Sequence, residues 1–225
     1  GNGDATLLDN TQTGLQYSDR LDIMGTGTLN IDESRQLQLI TQYYKSQGDD
    51  DYGLNLGKGF SAIRGTSTPF VSNGLNSDRI PGTERHLISL QYSDSAFLGQ
   101  ELVGQVYYRD ESLRFYPFPT VNANKQVTAF SSSQQDTDQY GMKLTLNSKP
   151  MDGWQITWGL DADHERFTSN QMFFDLAQAS ASGGLNNKKI YTTGRYPSYD
   201  ITNLAVFLQS GYDINNLFTL NGGVR

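Results

Sequence analysis

Apolar and polar residues alternate in short runs along most of the chain, and turn-forming residues separate these runs. In the clearest pair of runs, residues 21–31 and 37–43, the odd positions are mainly apolar and the even positions mainly polar. The segment Asp32-Glu33-Ser34, which favours a turn, lies between the two runs. This pattern predicts an antiparallel hairpin with one apolar and one polar face.

The same alternation predicts six further strands. They are Glu84–Tyr92, Gln100–Arg114, Gln139–Asn147, Gln155–Phe167, Thr202–Asp213 and Phe218–Arg225. With a weaker candidate at Thr6–Tyr17, the chain is expected to contain eight or nine strands. The cleaner runs cover roughly 9 to 15 residues, which is enough for a tilted strand that crosses a membrane.

Short and long connections between the predicted strands occur in regular alternation. The short ones are Asp32–Ser34, Ser93–Gly99, Ser148–Trp154 and Ile214–Leu217, and the long ones are Ser46–Thr83, Phe115–Asp138 and Thr168–Ile201. Connections longer than about 15 residues are uncommon in compact soluble domains. Strict alternation is typical of a transmembrane antiparallel β-barrel, with short turns at one rim and long loops at the other. We therefore predict an all-β fold of this class.

The composition agrees with a barrel and excludes several other classes. Apolar residues make up 36% of the chain, which is low for a soluble domain of 225 residues. The 13 Tyr, 11 Phe and 2 Trp are too many for a disordered chain, and barrels place such residues in girdles at both membrane interfaces. A net charge of −7 without a basic block argues against nucleic acid as a partner. Cysteine is absent, so no disulfide or Cys–metal site is expected.

Several segments are similar to a known family. They are Gly53–Ser61, Arg109–Phe118 (RDESLRFYPF), Gly159–Asp175 (GLDADHERFTSNQMFFD) and Tyr199–Arg225, which ends in LNGGVR. In these segments, and along its whole length, the chain resembles the TonB-dependent siderophore receptors. The resemblance implies a 22-stranded barrel that encloses a globular plug. Residues 1–225 would all belong to the barrel domain, with both ends cut, and the plug and the closing C-terminal strands would lie outside this sequence.

The resemblance also implies a function. The protein would be a receptor in the Gram-negative outer membrane, and not an enzyme, that imports a ferric siderophore. The long-loop sequences point to ferric aerobactin, a hydroxamate–citrate complex. Iron would be cargo within the siderophore, and no cofactor is expected. The other implied partners are outer-membrane lipid and lipopolysaccharide, together with the TonB energy-transducing complex, which would act through the plug.

An anionic chelate requires cations for its carboxylates and aromatic groups for its apolar body. Residues of these types cluster near the ends of strands that lead into long connections, or within those connections. The candidate ligand-binding residues are Arg85, Tyr107, Arg109, Tyr116, Lys188, Tyr191, Arg195 and Tyr196. The simpler interpretation is that inward-facing arginines pair with inward-facing carboxylates and that the tyrosines belong to an aromatic girdle.

Other interpretations stay open at this point. One is a passive porin or an adhesin barrel, and another is a secreted β-rich binding module or glycosidase. Asp161, Asp163 and Glu165 share one strand face, at a spacing near that of the carboxylates in inverting glycosidases. His164 projects from the opposite face, so it cannot join them without a bulge. A solvated barrel lining explains the three carboxylates more simply.

Overall fold

The computed structural model describes residues 18–48, 52–64, 71–73 and 75–225. The weak strand candidate Thr6–Tyr17 lies outside these residues. The described part forms a large antiparallel sheet with irregular structure at one end. Its strands are β1 (Ser18–Asn30), β2 (Arg35–Gly48), β3 (Tyr52–Leu54), β4 (Val71–Asn73), β5 (Asn76–Ser77), β6 (Gly82–Phe97), β7 (Gln100–Arg114), β8 (Phe118–Val121), β9 (Val127–Met151), β10 (Trp154–Phe174), β11 (Asn186–Asn187), β12 (Lys189–Gly194), β13 (Tyr199–Asn215) and β14 (Phe218–Val224).

The main sheet follows the order β1-β2-β6-β7-β9-β10-β13-β14, and each strand pairs antiparallel with the next. All eight strands were expected from the sequence, and β7 has the bounds that the alternation predicted. A short helix, α1 (Leu176–Ser182), and a 3-10 segment, Lys58–Arg64, lie in the long connections. No helix in the described ranges is long and apolar enough to cross a membrane.

Three of the four predicted short turns are tighter than expected because the strands continue into the segments assigned to them. Strand β6 reaches Phe97, so Leu98 and Gly99 alone separate it from β7. Both residues have a positive φ, of 50° and 77°, and this backbone twist suits a two-residue hairpin. The four-residue turn after β1 is held by Asp32, which accepts a hydrogen bond from the Ser34 amide at 2.9 Å. Arg35 also forms an ion pair with this carboxylate. These contacts hold the pKa of Asp32 well below its usual value.

The cross-strand register places the predicted apolar positions on one face of the sheet. Leu39 pairs with Leu90, and Leu90 pairs with Val106, so their side chains form a row. The row continues through Met142, Ala162 and Leu204 on the following strands. Leu204 is 76% exposed, and Leu39, Leu90, Val106 and Met142 are also exposed, though to a smaller extent. A broad, exposed apolar face of this kind is the surface by which a barrel contacts lipid.

Strands β9 and β10 are much longer than the sequence predicted, and they project beyond the sheet at the end with the long connections. β9 begins at Val127 rather than at Gln139, and β10 continues to Phe174 rather than ending at Phe167. Strand β8 pairs with the projecting part of β9, and β12 pairs with that of β10. We call this four-stranded projection (118–121, 127–135, 169–174 and 189–194) the platform.

The only hydrophobic cluster of buried residues in the described part of the chain covers one face of the platform. Phe130 and Phe174, on β9 and β10, pack with Leu56 and Phe60 of the first long connection and Ala179 of α1. The rings of Phe60 and Phe130 stack with centroids 5.0 Å apart. The first and third long connections therefore pack together on this covered face, while the opposite face of the platform stays open.

Candidate ligand-binding site

The open face of the platform contains a cavity of about 490 Å³. Its floor consists of polar side chains on β9 and β10, and aromatic residues of the flanking segments form its walls. The lining residues are Phe115, Tyr116, Phe118, Pro119, Thr120, Ser131, Ser133, Gln135, Gln171, Arg195 and Tyr196. Three of the predicted site residues, Tyr116, Arg195 and Tyr196, thus come together in one cavity, although 79 positions separate the first two in the sequence.

The floor of the cavity follows from strand geometry. Odd-numbered residues of β9 and β10 project from the open face, whereas Phe130 and Phe174 project from the covered one. Gln171 donates a hydrogen bond to the Ser131 hydroxyl at 2.8 Å. Ser133 is 2% exposed, and its hydroxyl has no hydrogen-bond partner in the described structure. A buried hydroxyl without a partner is costly, so it marks a position where a ligand atom can bind.

The walls of the cavity carry the charge and the aromatic surface. The Arg195 guanidinium lies over the Tyr196 ring, 5.1 Å from its centroid, which is a cation–π arrangement. The Arg195 amide donates to the Ser169 carbonyl at 3.2 Å, which fixes this residue at the edge of the platform. Tyr116 follows β7 on the other side of the cavity, and burial raises the pKa of its hydroxyl. A neutral hydroxyl and a cation thus face each other across a polar floor.

Tyr191 and Lys188 lie close by, with different surroundings. The Tyr191 ring stacks on Phe173 of β10, with centroids 4.7 Å apart, and is 50% exposed. Lys188 forms an ion pair with Asp78 of the first long connection at 3.6 Å. The same carboxylate accepts a hydrogen bond from the Lys189 amide at 2.7 Å, which is the main cause of the lowered pKa of Asp78. Lys188 therefore joins two connections instead of lining the cavity.

The remaining predicted residues lie lower on the same polar face of the sheet. Arg85 forms an ion pair with Glu111 at 3.4 Å and lies 5.7 Å from the centroid of the Tyr44 ring. Arg109 forms no ion pair within the described ranges, and its buried Nε has no hydrogen-bond partner there. Arg195 likewise lacks an acidic partner among the described residues. Pairing with carboxylates thus accounts for Arg85 but not for these two arginines.

Arg109 and the cavity lie on one continuous polar surface. Arg109 pairs across the sheet with Gln139 of β9, and Gln135 of the same strand lines the cavity. Four residues of extended strand span roughly 13 Å. Tyr107, the neighbour of Arg109 on this face, lies over Gly141 of β9, next in line below Gln139. Together these residues form a polar column that leads from the cavity down the sheet.

Asp161, Asp163 and Glu165 also face this column and have partners. Arg225 and Lys143 approach Asp161 at 3.1 and 4.0 Å. Asn203 donates to Asp163, and Tyr199 donates to Glu165, both at 3.0 Å. His164 lies on the opposite face, where Nδ1 is 2.9 Å from the Thr202 hydroxyl. Among the described residues no cluster of His, Cys, Asp and Glu has the geometry of a metal site.

No pattern in the sequence predicts the cavity floor. Ser131, Ser133 and Gln135 lie in a run of polar residues without alternation, within the segment that was predicted to be a loop. Gln171 lies beyond the predicted end of its strand. The sequence predicted the charged and aromatic residues of the walls. It did not predict the extensions of β9 and β10 that form the floor.

Comparison with known proteins identifies the class of molecule. Residues 15–225 match the model of the family described as TonB dependent receptor-like, beta-barrel, and the chain belongs to this family. It is a family of receptors, not of enzymes. The chain aligns over all 225 residues with the ferric aerobactin receptor of Escherichia coli, at 99% identity, and with the rhizobactin receptor of Rhizobium meliloti, at 39%. It spans 31% and 30% of the lengths of these two proteins.

Solved structures of low sequence identity show the same fold. The copper transporter OprC superposes with a TM-score of 0.60 at 14% identity, over 92% of this chain and 28% of that one. The ferric citrate transporter FecA, in its unliganded form, superposes with a TM-score of 0.58 at 16% identity, over 92% of this chain and 29% of that one. The predicted fold class is therefore confirmed. The main sheet is a section of a receptor barrel, and its polar face lines the barrel interior.

Proposed function

We propose that this chain is the part of an outer-membrane barrel that binds a ferric siderophore, in particular ferric aerobactin, for TonB-dependent import. The observation that carries the proposal is the cavity on the open face of the platform. There, Arg195 and the Ser133 hydroxyl lie among aromatic walls, and neither the cation nor the hydroxyl has a partner among the described residues. The identity of 99% with a ferric aerobactin receptor supports the choice of siderophore.

The chemistry of the cavity fits an anionic hydroxamate–citrate chelate. The guanidinium of Arg195 has the planar donor geometry that binds a carboxylate by two hydrogen bonds. Ser131, Ser133 and Gln171 offer hydroxyl and amide groups that match hydroxamate and amide oxygens. Tyr116, Tyr196 and Phe118 offer aromatic surface to the apolar parts of the ligand. Iron stays inside the chelate, and the protein binds the periphery of the complex.

The polar column below the cavity supports a role in transfer of the ligand. Arg109, without an acidic partner in the described ranges, lies roughly 13 Å below the cavity floor along β9. A released chelate therefore meets a second cation on the same wall, beside the Tyr107 hydroxyl. Arg109 and Tyr107 attract the ligand inward, and neither belongs to the cavity itself.

The remaining partners follow from the same proposal. Residues 1–225 form part of the barrel domain, and a plug elsewhere in the protein receives the action of the TonB complex. The apolar face contacts outer-membrane lipid, and the rim above it contacts lipopolysaccharide. Two tyrosines of this rim have carboxylate acceptors, as in the Tyr108–Asp138 hydrogen bond of 3.1 Å and the Tyr43–Glu84 hydrogen bond of 3.2 Å.

The test is binding of ferric aerobactin to cells that carry the full-length receptor with Arg195→Ala. Loss of a charge-assisted interaction of about 1.5–3 kcal/mol weakens binding by about ten- to a hundredfold. Arg166→Ala is the matched control, because Arg166 lies on the apolar face and pairs with Asp200 at 3.0 Å. With equal amounts of each variant at the cell surface, unchanged affinity of Arg195→Ala would place the capture site elsewhere in the receptor.

A further inference from the structure

The candidate cavity has a buried cation directly behind its floor, on the covered face of the platform. Arg79 of the first long connection is 7% exposed, and burial lowers the pKa of its guanidinium. The guanidinium donates to the Ser132 carbonyl of β9 at 2.9 Å and to the Asn170 side-chain oxygen of β10 at 2.5 Å. Arg79 therefore spans the two strands whose opposite face forms the floor.

The residues that Arg79 binds are the sequence neighbours of the floor residues. Ser132 lies between Ser131 and Ser133, and Asn170 immediately precedes Gln171. Because alternate residues of a strand project to opposite faces, a contact at Ser132 and Asn170 fixes the backbone from which the floor side chains project. The spacing between the Ser131 and Ser133 hydroxyls on one strand and the Gln171 amide on the other depends on this part of the ladder.

The position of Arg79 is fixed in turn by contacts on both sides. Strands β5 and β11 pair in parallel immediately before it, joining Ser77 to Asn187. The Asp78 amide donates to the Asn187 carbonyl at 3.1 Å, and the Asp78 carboxylate accepts from Lys189. The covered core around Phe60 holds the preceding part of the same connection against β9. A long side chain such as that of Arg79 loses much rotamer entropy when it becomes ordered. The contacts described here order Arg79 before any ligand binds, so this entropy is not lost on binding.

We propose that Arg79 is a positioning residue for the ligand-binding cavity. It contacts no ligand, and it acts through the backbone of Ser132 and the side chain of Asn170 to set the geometry of the floor on the other face. The first long connection thereby contributes to affinity from behind the site. This inference rests on the proposed function, since it concerns the same cavity.

The test compares Arg79→Met and Arg79→Lys in the full-length receptor, with ferric aerobactin as the probe. Both variants are expected to bind about tenfold more weakly at an unchanged amount of receptor on the surface. Lysine is expected to weaken binding as much as methionine does. It keeps the positive charge, but it lacks the planar guanidinium that donates to two acceptors at once. Arg35→Lys, at a short turn at the other end of the sheet, is the control and leaves the affinity unchanged.

A double-mutant cycle separates positioning from general stabilisation. Ser133→Ala alone is expected to weaken binding about fivefold, and in the Arg79→Met background it adds less than about twofold, because the hydroxyl is already displaced. Additive effects, or an unchanged affinity of Arg79→Met, would overturn the inference. Arg195→Ala in the same series tests the site itself. If Arg195→Ala leaves the affinity for ferric aerobactin unchanged, the proposed function is wrong. If Arg195→Ala lowers the affinity and Arg79→Met does not, only the positioning role is refuted.

Discussion

The side chain of Tyr107 lies across the backbone of Gly141, its direct partner on the adjacent strand. A Cβ atom on Gly141 would be 2.8 Å from the Tyr107 hydroxyl oxygen and 2.8 Å from the Ala162 carbonyl oxygen. Phe207 and Gly159 repeat this arrangement on the β10–β13 pair, where the added Cβ would be 2.7 Å from Cζ of the ring. In both pairs glycine lets an aromatic ring lie flat on the barrel wall and cover the exposed backbone.

Gly141→Ala is therefore expected to destabilise the barrel and to displace Tyr107. Because backbone as well as ring atoms obstruct the new methyl group, the cost is about 1–3 kcal/mol, typical of overpacking. The temperature at which the purified full-length receptor loses its folded mobility in gel electrophoresis measures the change. Gly27→Ala is the control, since nothing lies within 4 Å of a Cβ at that position. Equal melting of the two variants would show that Tyr107 has no fixed position over Gly141.

Leu204 and Ala205 are neighbours in sequence and project from opposite faces of β13. Leu204→Arg places a charge at the end of the apolar row, where it costs about 2–4 kcal/mol if this face contacts lipid. Ala205→Arg adds the same side chain to the polar face and is expected to be tolerated. The measurement is the amount of folded receptor in the outer-membrane fraction. Equal assembly of both variants would contradict a lipid-facing apolar surface.

The alternation of residues predicted the sheet and its faces but not the platform. In the central part of β7 every second residue lies on the apolar face, and the bounds Gln100–Arg114 were predicted correctly. Positions 131–136, near the beginning of β9, read SSSQQD, with no apolar side, and were predicted to be loop. Its strand structure depends on pairing with β10 and on the Phe60–Phe130 stack, both of which are long-range contacts.

The site was only partly predicted, because long-range contacts decide which of the candidate residues come together. Residue type alone indicated Arg195, Tyr196 and Tyr116, since an anionic chelate needs cations and aromatic groups. The partner that removes Lys188 from the cavity is Asp78, which is 110 positions earlier in the chain, and no local pattern relates the two. Arg79 and Ser133 were missed because their roles depend on burial, which the sequence does not display at loop positions.

The Asp78 contacts predict that the first and third long connections protect one another. Asp78→Ala removes the ion pair with Lys188 and the acceptor of the Lys189 amide. When trypsin is added to intact cells, it is therefore expected to cleave the receptor after Lys188 or Lys189 several-fold faster in this variant. Lys125→Ala serves as a control on the surface, because Lys125 lies in the separate β8–β9 turn. Unchanged cleavage would mean that Asp78 does not hold the connections together.

The pH dependence of this contact follows from the lowered pKa of Asp78. A carboxylate with a depressed pKa contributes its full stabilisation above its ordinary value of 3.8 and loses it as the pH falls through the lowered value. Protection of the Lys189 amide from hydrogen exchange, corrected for intrinsic rates, is therefore expected to stay constant between pH 7 and about pH 5. A decline within that window would show that Asp78 titrates at or above its ordinary pKa.

Arg85 and Arg109 lie on adjacent strands of the same polar face and differ in their partners. Arg85 already pairs with Glu111, so its charge is compensated within the wall. Arg109 forms no ion pair in the described ranges, so its charge is available to an anion. In the full-length receptor, Arg109→Ala is expected to slow ferric aerobactin uptake by about tenfold or more, the effect of losing a charge-assisted interaction. Arg85→Ala is expected to change uptake by less than about threefold, since the pair is compensated and partly exposed.

Binding at the surface should be nearly normal in both, because the cavity lies above these residues. If Arg85→Ala were as harmful as Arg109→Ala, ion pairing would not distinguish wall arginines from ligand-attracting ones, and the polar column would lose its support.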